Sequence, residues 1–90
     1  MIERDVFIEE LAGFLFIYGI FGREVEESTI RKIIENSLEQ IELVETLINK
    51  INKEAKKRRY INVEKLKELL LELERIRIEL DFENYTKMST

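Results

Sequence analysis

Apolar and charged positions along this chain recur at helical spacing, and the pattern predicts three helices. The first, over about residues 3–21, is amphipathic at its start and apolar on every side at its end. Its second half, Leu11-Ala-Gly-Phe-Leu-Phe-Ile-Tyr-Gly-Ile-Phe-Gly22, runs for 12 residues without a charge in a chain where 38% of residues are charged. Gly22 is placed to end it as a left-handed C-terminal residue. Phe14 to Tyr18 has strand-like composition, but no second strand candidate exists to pair its backbone groups, so helix is the better assignment.

The second predicted helix, about residues 29–58, carries the clearest period. Ile30, Ile34, Ser37, Ile41, Val44, Ile48, Ile51 and Ala55 alternate steps of four and three, a coiled-coil-like heptad seam interrupted in polarity only by Ser37. Ile33, Leu38 and Leu47 flank that seam and widen it, as in a bundle helix that touches more than one neighbour. Ser28 or Thr29 is the expected N-cap, without the Glu or Gln that would complete a capping box.

The third predicted helix, about residues 63–82, follows Asn62 as N-cap and uses Leu66, Leu69, Leu70, Leu73, Ile76 and Leu80. Its short connection makes it the antiparallel partner of the second helix in a helical hairpin. Residues 85–90 have little to bury and are expected to fray. The expected fold is therefore all-α: one domain over residues 1–84, a three-helix protomer with the first helix packed on the hairpin, completing its core as a dimeric helical bundle.

The dimer follows from the uncharged stretch. It is too short for a bilayer, which needs ~20 apolar residues, and its polar face carries Glu3, Asp5, Glu9 and Glu10, which anionic lipid repels. No GxxxG spacing marks association in lipid. A hairpin cannot cover it fully, and two-fold dimers are the commonest oligomers. Leu11, Phe14, Leu15, Phe16, Ile17, Tyr18, Ile20 and Phe21 are the expected interface.

Composition removes most chemistries. The chain has no cysteine and no histidine, which excludes disulfides, thiolate metal sites, imidazole bases and the usual nucleophilic arrangements. Glu35, Glu39 and Glu42 line one helix face, but they point away from the heptad seam, and inward-facing Glu-x-x-His motifs cannot be made. A solvated acidic face is the expectation there. Gly13, Gly19 and Gly22 do not match a phosphate-binding loop. No catalytic residue, cofactor or metal is expected, and the chain reads as a non-enzymatic interaction or assembly module. No proline interrupts a helix. The weight of Glu, Lys, Ile and Leu beside a single Gln matches heat-adapted proteins, and equally an AT-rich genome. The first residues lack a basic, apolar leader, so a cytoplasmic location is expected.

Charge adds one positive candidate. The formal net charge is −4, yet residues 50–67 hold eight basic and two acidic groups. Lys53, Lys56, Lys57, Arg58 and Arg59, with Tyr60 for stacking, form a basic corner that suits nucleic acid or an acidic partner. Cations at a helix C-terminus are also ordinary dipole partners, and Glu54 stands four residues before Arg58. The corner and the acidic ends have opposite signs, which suits head-to-tail pairing of protein surfaces. Val25 to Ile33 has the cadence of a helix-turn-helix reading helix, but Glu24 stands where its turn needs glycine, and Glu26 and Glu27 would face phosphate. Arg59-Tyr-Ile-Asn-Val63 hints at a ribbon-helix-helix, a module that needs a further helix the chain does not supply.

Overall fold

The computed structural model describes residues 3–88. They form four helices: α1 Arg4–Ile17, α2 Glu27–Ser37, α3 Ile41–Ala55 and α4 Val63–Met88. The all-α class stands, with four helices where the periodicity predicts three.

The expected second helix is two. Ser37 is buried and its hydroxyl donates to the Ile33 carbonyl at 2.7 Å, the local bond by which serine competes with helical backbone pairing. The amides of Glu39 and Gln40 then bond only three residues back, to Asn36 and Ser37. Gln40 is extended, at φ −135° and ψ 129°, and α3 starts anew. The break keeps the apolar rows in phase: Ile30 and Ile34 before it, and Val44, Ile48 and Ile51 after it, are all buried. Periodicity alone cannot register such a turn. Leu38, expected on a flank of one long helix, is buried at the turn itself.

Helix α1 ends at Ile17, four residues before the expected Phe21. Gly19, at φ 62°, is the left-handed residue. The Gly19 amide donates to Phe16 and the Ile20 amide to Leu15, a Schellman pair with Ile20 and Leu15 both buried. Gly22, the expected terminator, lies in the following turn at φ 105°. The expected cap of the next helix shifts as well. Glu26 is the N-cap of α2, without a side-chain bond, and Ser28 and Thr29 sit inside its first turn. Asn62 caps α4 as expected, its Oδ1 accepting from the Lys65 amide at 3.0 Å.

Neighbouring helices run antiparallel. Gly13 of α1 faces Glu27 of α2 and Glu9 meets Arg31 further along it, while Tyr18, Glu10 and Phe7 lie in turn beside Asn62, Lys65 and Ile76 along α4, so the chain goes up, down, up and down as in a four-helix bundle. All four helices feed one core, with Phe7, Leu11 and Leu15 from α1, Ile30 and Ile34 from α2, Val44 and Ile51 from α3, and Leu69 and Leu73 from α4. The body measures 46 × 23 × 23 Å.

The helices are unequal. α4 has 26 residues against 14 in α1 and 15 in α3, about 39 Å of helix beside about 21 Å and 23 Å. It passes the expected end at Phe82 and stays helical to Met88, so residues 85–88, expected to fray, continue it; Ser89 and Thr90 lie outside the described residues. Every residue from Asp81 to Lys87 is exposed. The last turns of α4 therefore project past the bundle.

Candidate interaction interface

The expected α1 interface divides. Leu11, Phe14, Leu15 and Ile20 are buried in the chain's own core, and Tyr18 and Phe21 are half-buried against it. A folded bundle thus covers most of the uncharged stretch that a dimer was expected to cover. The turn after Ser37 lets α2 pack along α1 while α3 packs along α4, and that packing supplies the cover. Only Phe16 and Ile17 of the eight are exposed.

Tyr18 and Phe21 instead organise the end of the bundle. The Tyr18 phenol oxygen accepts from the Asn62 amide at 3.2 Å, and its ring lies 4.6 Å from Phe14 and 5.9 Å from Tyr60 between centroids. Lys50 sits over the Phe21 ring at 5.2 Å, within cation–π range.

The basic corner also divides. Arg58 Nε donates to the Tyr18 carbonyl at 2.6 Å, and Nη2 donates to the Gly19 carbonyl at 2.7 Å. Its Nη1 donates to the Glu54 carbonyl at 2.6 Å. One guanidinium thus ties carbonyls at the C-terminal end of α1 to one at the C-terminal end of α3, where the Gly19 and Glu54 carbonyls also accept from the Gly22 and Lys57 amides. Lys57 is held by Glu54, whose carboxyl is kept below the usual carboxylate range by the Lys57 hydrogen bond, against burial and with help from Arg58. Lys53, Lys56, Arg59 and Tyr60 remain exposed at the surface. Beside them Lys65 donates to Glu10 at 2.8 Å, a bond that holds its ammonium above the ordinary lysine value.

A further surface was missed from the sequence. Leu71, Ile78, Phe82 and Tyr85 are 70%, 58%, 69% and 72% exposed. They step by seven, four and three, so they share one face of α4, opposite the buried Leu69 and Leu73. The signal was present as a second heptad row, masked by the stronger inner row from Leu66 to Leu80. Ion pairs border this face: Arg75 bonds Glu72 and Glu79, and Arg77 bonds Glu74. On the inner side, a groove of about 520 Å³ runs between the start of α1 and the second half of α4, with Phe7, Leu38, Ile76 and Leu80 among its lining and Glu79 and Glu83 at its edge.

Glu35, Glu39 and Glu42 are exposed, and among the described residues no group of three or more carboxylates is placed to hold a metal ion. Among the described residues, no helix is long and apolar enough to cross a membrane. No protein-family model, curated protein or solved structure matches the chain.

Proposed function

We propose that this chain is a non-enzymatic helical interaction and assembly module whose contact surface is the outer face of α4. The observation that carries this reading is the exposed row Leu71, Ile78, Phe82 and Tyr85 on the side of α4 away from the core. Single exposed apolar residues are ordinary, but four aligned on one helix, two of them aromatic, resemble the anchors by which helices recognise one another. The self-association expected of α1 moves to this face, because most of the α1 side chains assigned to it are used within the fold.

Light scattering coupled to size exclusion, from micromolar to millimolar protein, tests the reading with Ile78→Lys/Phe82→Lys as the comparison. The unmodified chain should exceed 10.8 kDa as concentration rises. The double variant should stay at that mass with equal helicity. Unmodified protein at the monomer mass throughout contradicts the reading.

A second reading, a nucleic-acid contact at the turn between α3 and α4, is supported by exposed Lys53, Lys56 and Arg59 beside exposed Tyr60. It has less charge to draw on than the sequence suggests, since Arg58 is committed to Tyr18 and Gly19, and Lys57 to Glu54.

A further inference from the structure

The two ends of the bundle are opposite in charge, and each shows uncovered apolar side chains. At one end α3 closes on Lys53, Lys56, Lys57, Arg58 and Arg59, with Ile17, Tyr60 and Val63 exposed around them. A shallow groove of about 340 Å³ opens beside it, with Phe14, Ile17 and Tyr18 in its lining together with Glu9, Glu10 and Lys65, the last two paired with each other. At the other end the projecting turns of α4 carry Asp81, one turn from Arg77, and Glu83 with Lys87, and they present Phe82 and Tyr85. Glu3 and Asp5 at the start of α1, and Glu39 and Glu42 around the start of α3, outnumber the Arg4 and Arg75 that line the groove there, so the surroundings of that projection are acidic on balance.

A short projecting helix gains little from its own backbone bonds, since helices in proteins are held chiefly by packing of an apolar face. Charge selects what covers this one. Two copies meeting tail to tail would set carboxylates against carboxylates, a juxtaposition that costs several kcal/mol. The other end offers the opposite sign at exposed Lys53, Lys56 and Arg59, and apolar side chains in exposed Ile17, Tyr60 and Val63.

We infer that the projecting end of α4 seats on the basic end of a second copy of this chain, placing Phe82 and Tyr85 against Ile17, Tyr60 and Val63 and placing Asp81 and Glu83 toward Lys56 and Arg59. The inference rests on the proposed assembly role and names its partner. The contact joins unlike surfaces, so copies add head to tail, in a row or in a ring where the rotation between copies closes.

Two charge-reversed chains test it: Lys56→Glu/Arg59→Glu, and Asp81→Lys/Glu83→Lys. All four positions are exposed, so circular dichroism and melting should match the unmodified protein. Each variant alone should associate about a hundredfold more weakly. Mixed in equal amounts they should recover assembly, because every junction in the mixture again joins opposite charges. Either variant assembling alone as well as the unmodified chain overturns the head-to-tail contact and leaves the assembly role standing. Unmodified protein that stays monomeric at millimolar concentration and low salt overturns both. If it instead captures a single-stranded oligonucleotide, and Lys56→Glu/Arg59→Glu abolishes that capture, the basic end belongs to nucleic acid and the inference fails.

Discussion

The guanidinium of Arg58 holds the backbone of Tyr18 across 40 positions of sequence, donating to its carbonyl at 2.6 Å while a second nitrogen reaches Gly19. This relationship fastens the end of α1 to the end of α3 and takes the middle of the basic cluster out of solvent. Arg58→Ala leaves those carbonyls without their charged donor and should cost about 2–3 kcal/mol in urea unfolding. Arg58→Lys should recover only part of it, because an ammonium lacks the planar fork. Lys56→Ala, two residues earlier and exposed, should change stability by less than about 0.5 kcal/mol. Equal losses for Arg58→Ala and Lys56→Ala would contradict the clamp.

Leu38 packs into the core at the turn between two short helices. On a continuous helix it would sit on a flank of the seam, whereas at the turn between α2 and α3 it is only 2% exposed. Leu38→Ala should therefore cost about 2–5 kcal/mol, the range for a buried leucine. A loss below about 1 kcal/mol, in the range of exposed substitutions, would place Leu38 at the surface and contradict its packing at the turn.

The turn after α1 depends on glycine at two places. Gly19 at φ 62° and Gly22 at φ 105° both occupy conformations that L side chains rarely adopt. A Cβ at Gly22 would also come within 2.7 Å of the Glu24 carboxylate. Gly19→Ala and Gly22→Ala should each destabilise by about 1–2 kcal/mol in thermal or urea melts. Gly13→Ala, inside α1 with ordinary contact distance to Glu27, should be neutral or stabilising, because alanine is the better helix former by about 1 kcal/mol.

Acid should release Glu54 from Lys57 and Arg58. Its folded pKa lies below the unfolded value, first because of the Lys57 hydrogen bond, so its contribution is present above the unfolded pKa and lost as pH falls through the folded one. Melting temperatures of the unmodified chain and Glu54→Gln should differ near neutrality and converge below the usual carboxylate range. Lys65 has the opposite sign. The Glu10 carboxylate raises its pKa, so the gap between the unmodified chain and Glu10→Gln should close as pH rises through the folded Lys65 value. Gaps that do not change with pH would remove these pairs from the stability account.

The all-α class, the buried rows on α2, α3 and α4, and the Asn62 cap could all be read from spacing and side-chain chemistry. The break at Leu38–Gln40 could not, because Ile34 and Val44 stay in register across it and neither glycine nor proline marks it. That one turn divides the expected second helix and lets α2 pack along α1 while α3 packs along α4, so Leu11, Phe14 and Leu15 are buried within the protomer and the expected α1 interface lies mostly inside it. The basic corner was legible as charge, but the bonds from Arg58 to Tyr18 and Gly19 join positions far apart in sequence, and no local pattern announces them. The row Leu71, Ile78, Phe82, Tyr85 was legible in spacing and was obscured by the denser leucine row beside it.

Hydrogen–deuterium exchange at low and high protein concentration tests most directly whether the projecting face of α4 is where this chain meets its partner. Amides of residues 78–88 should gain protection as concentration rises, together with those near Tyr60 and Val63, while the core amides of α1, α2 and α3 remain unchanged. Exchange in residues 78–88 that stays fast and independent of concentration, up to millimolar protein at low salt, would contradict the account.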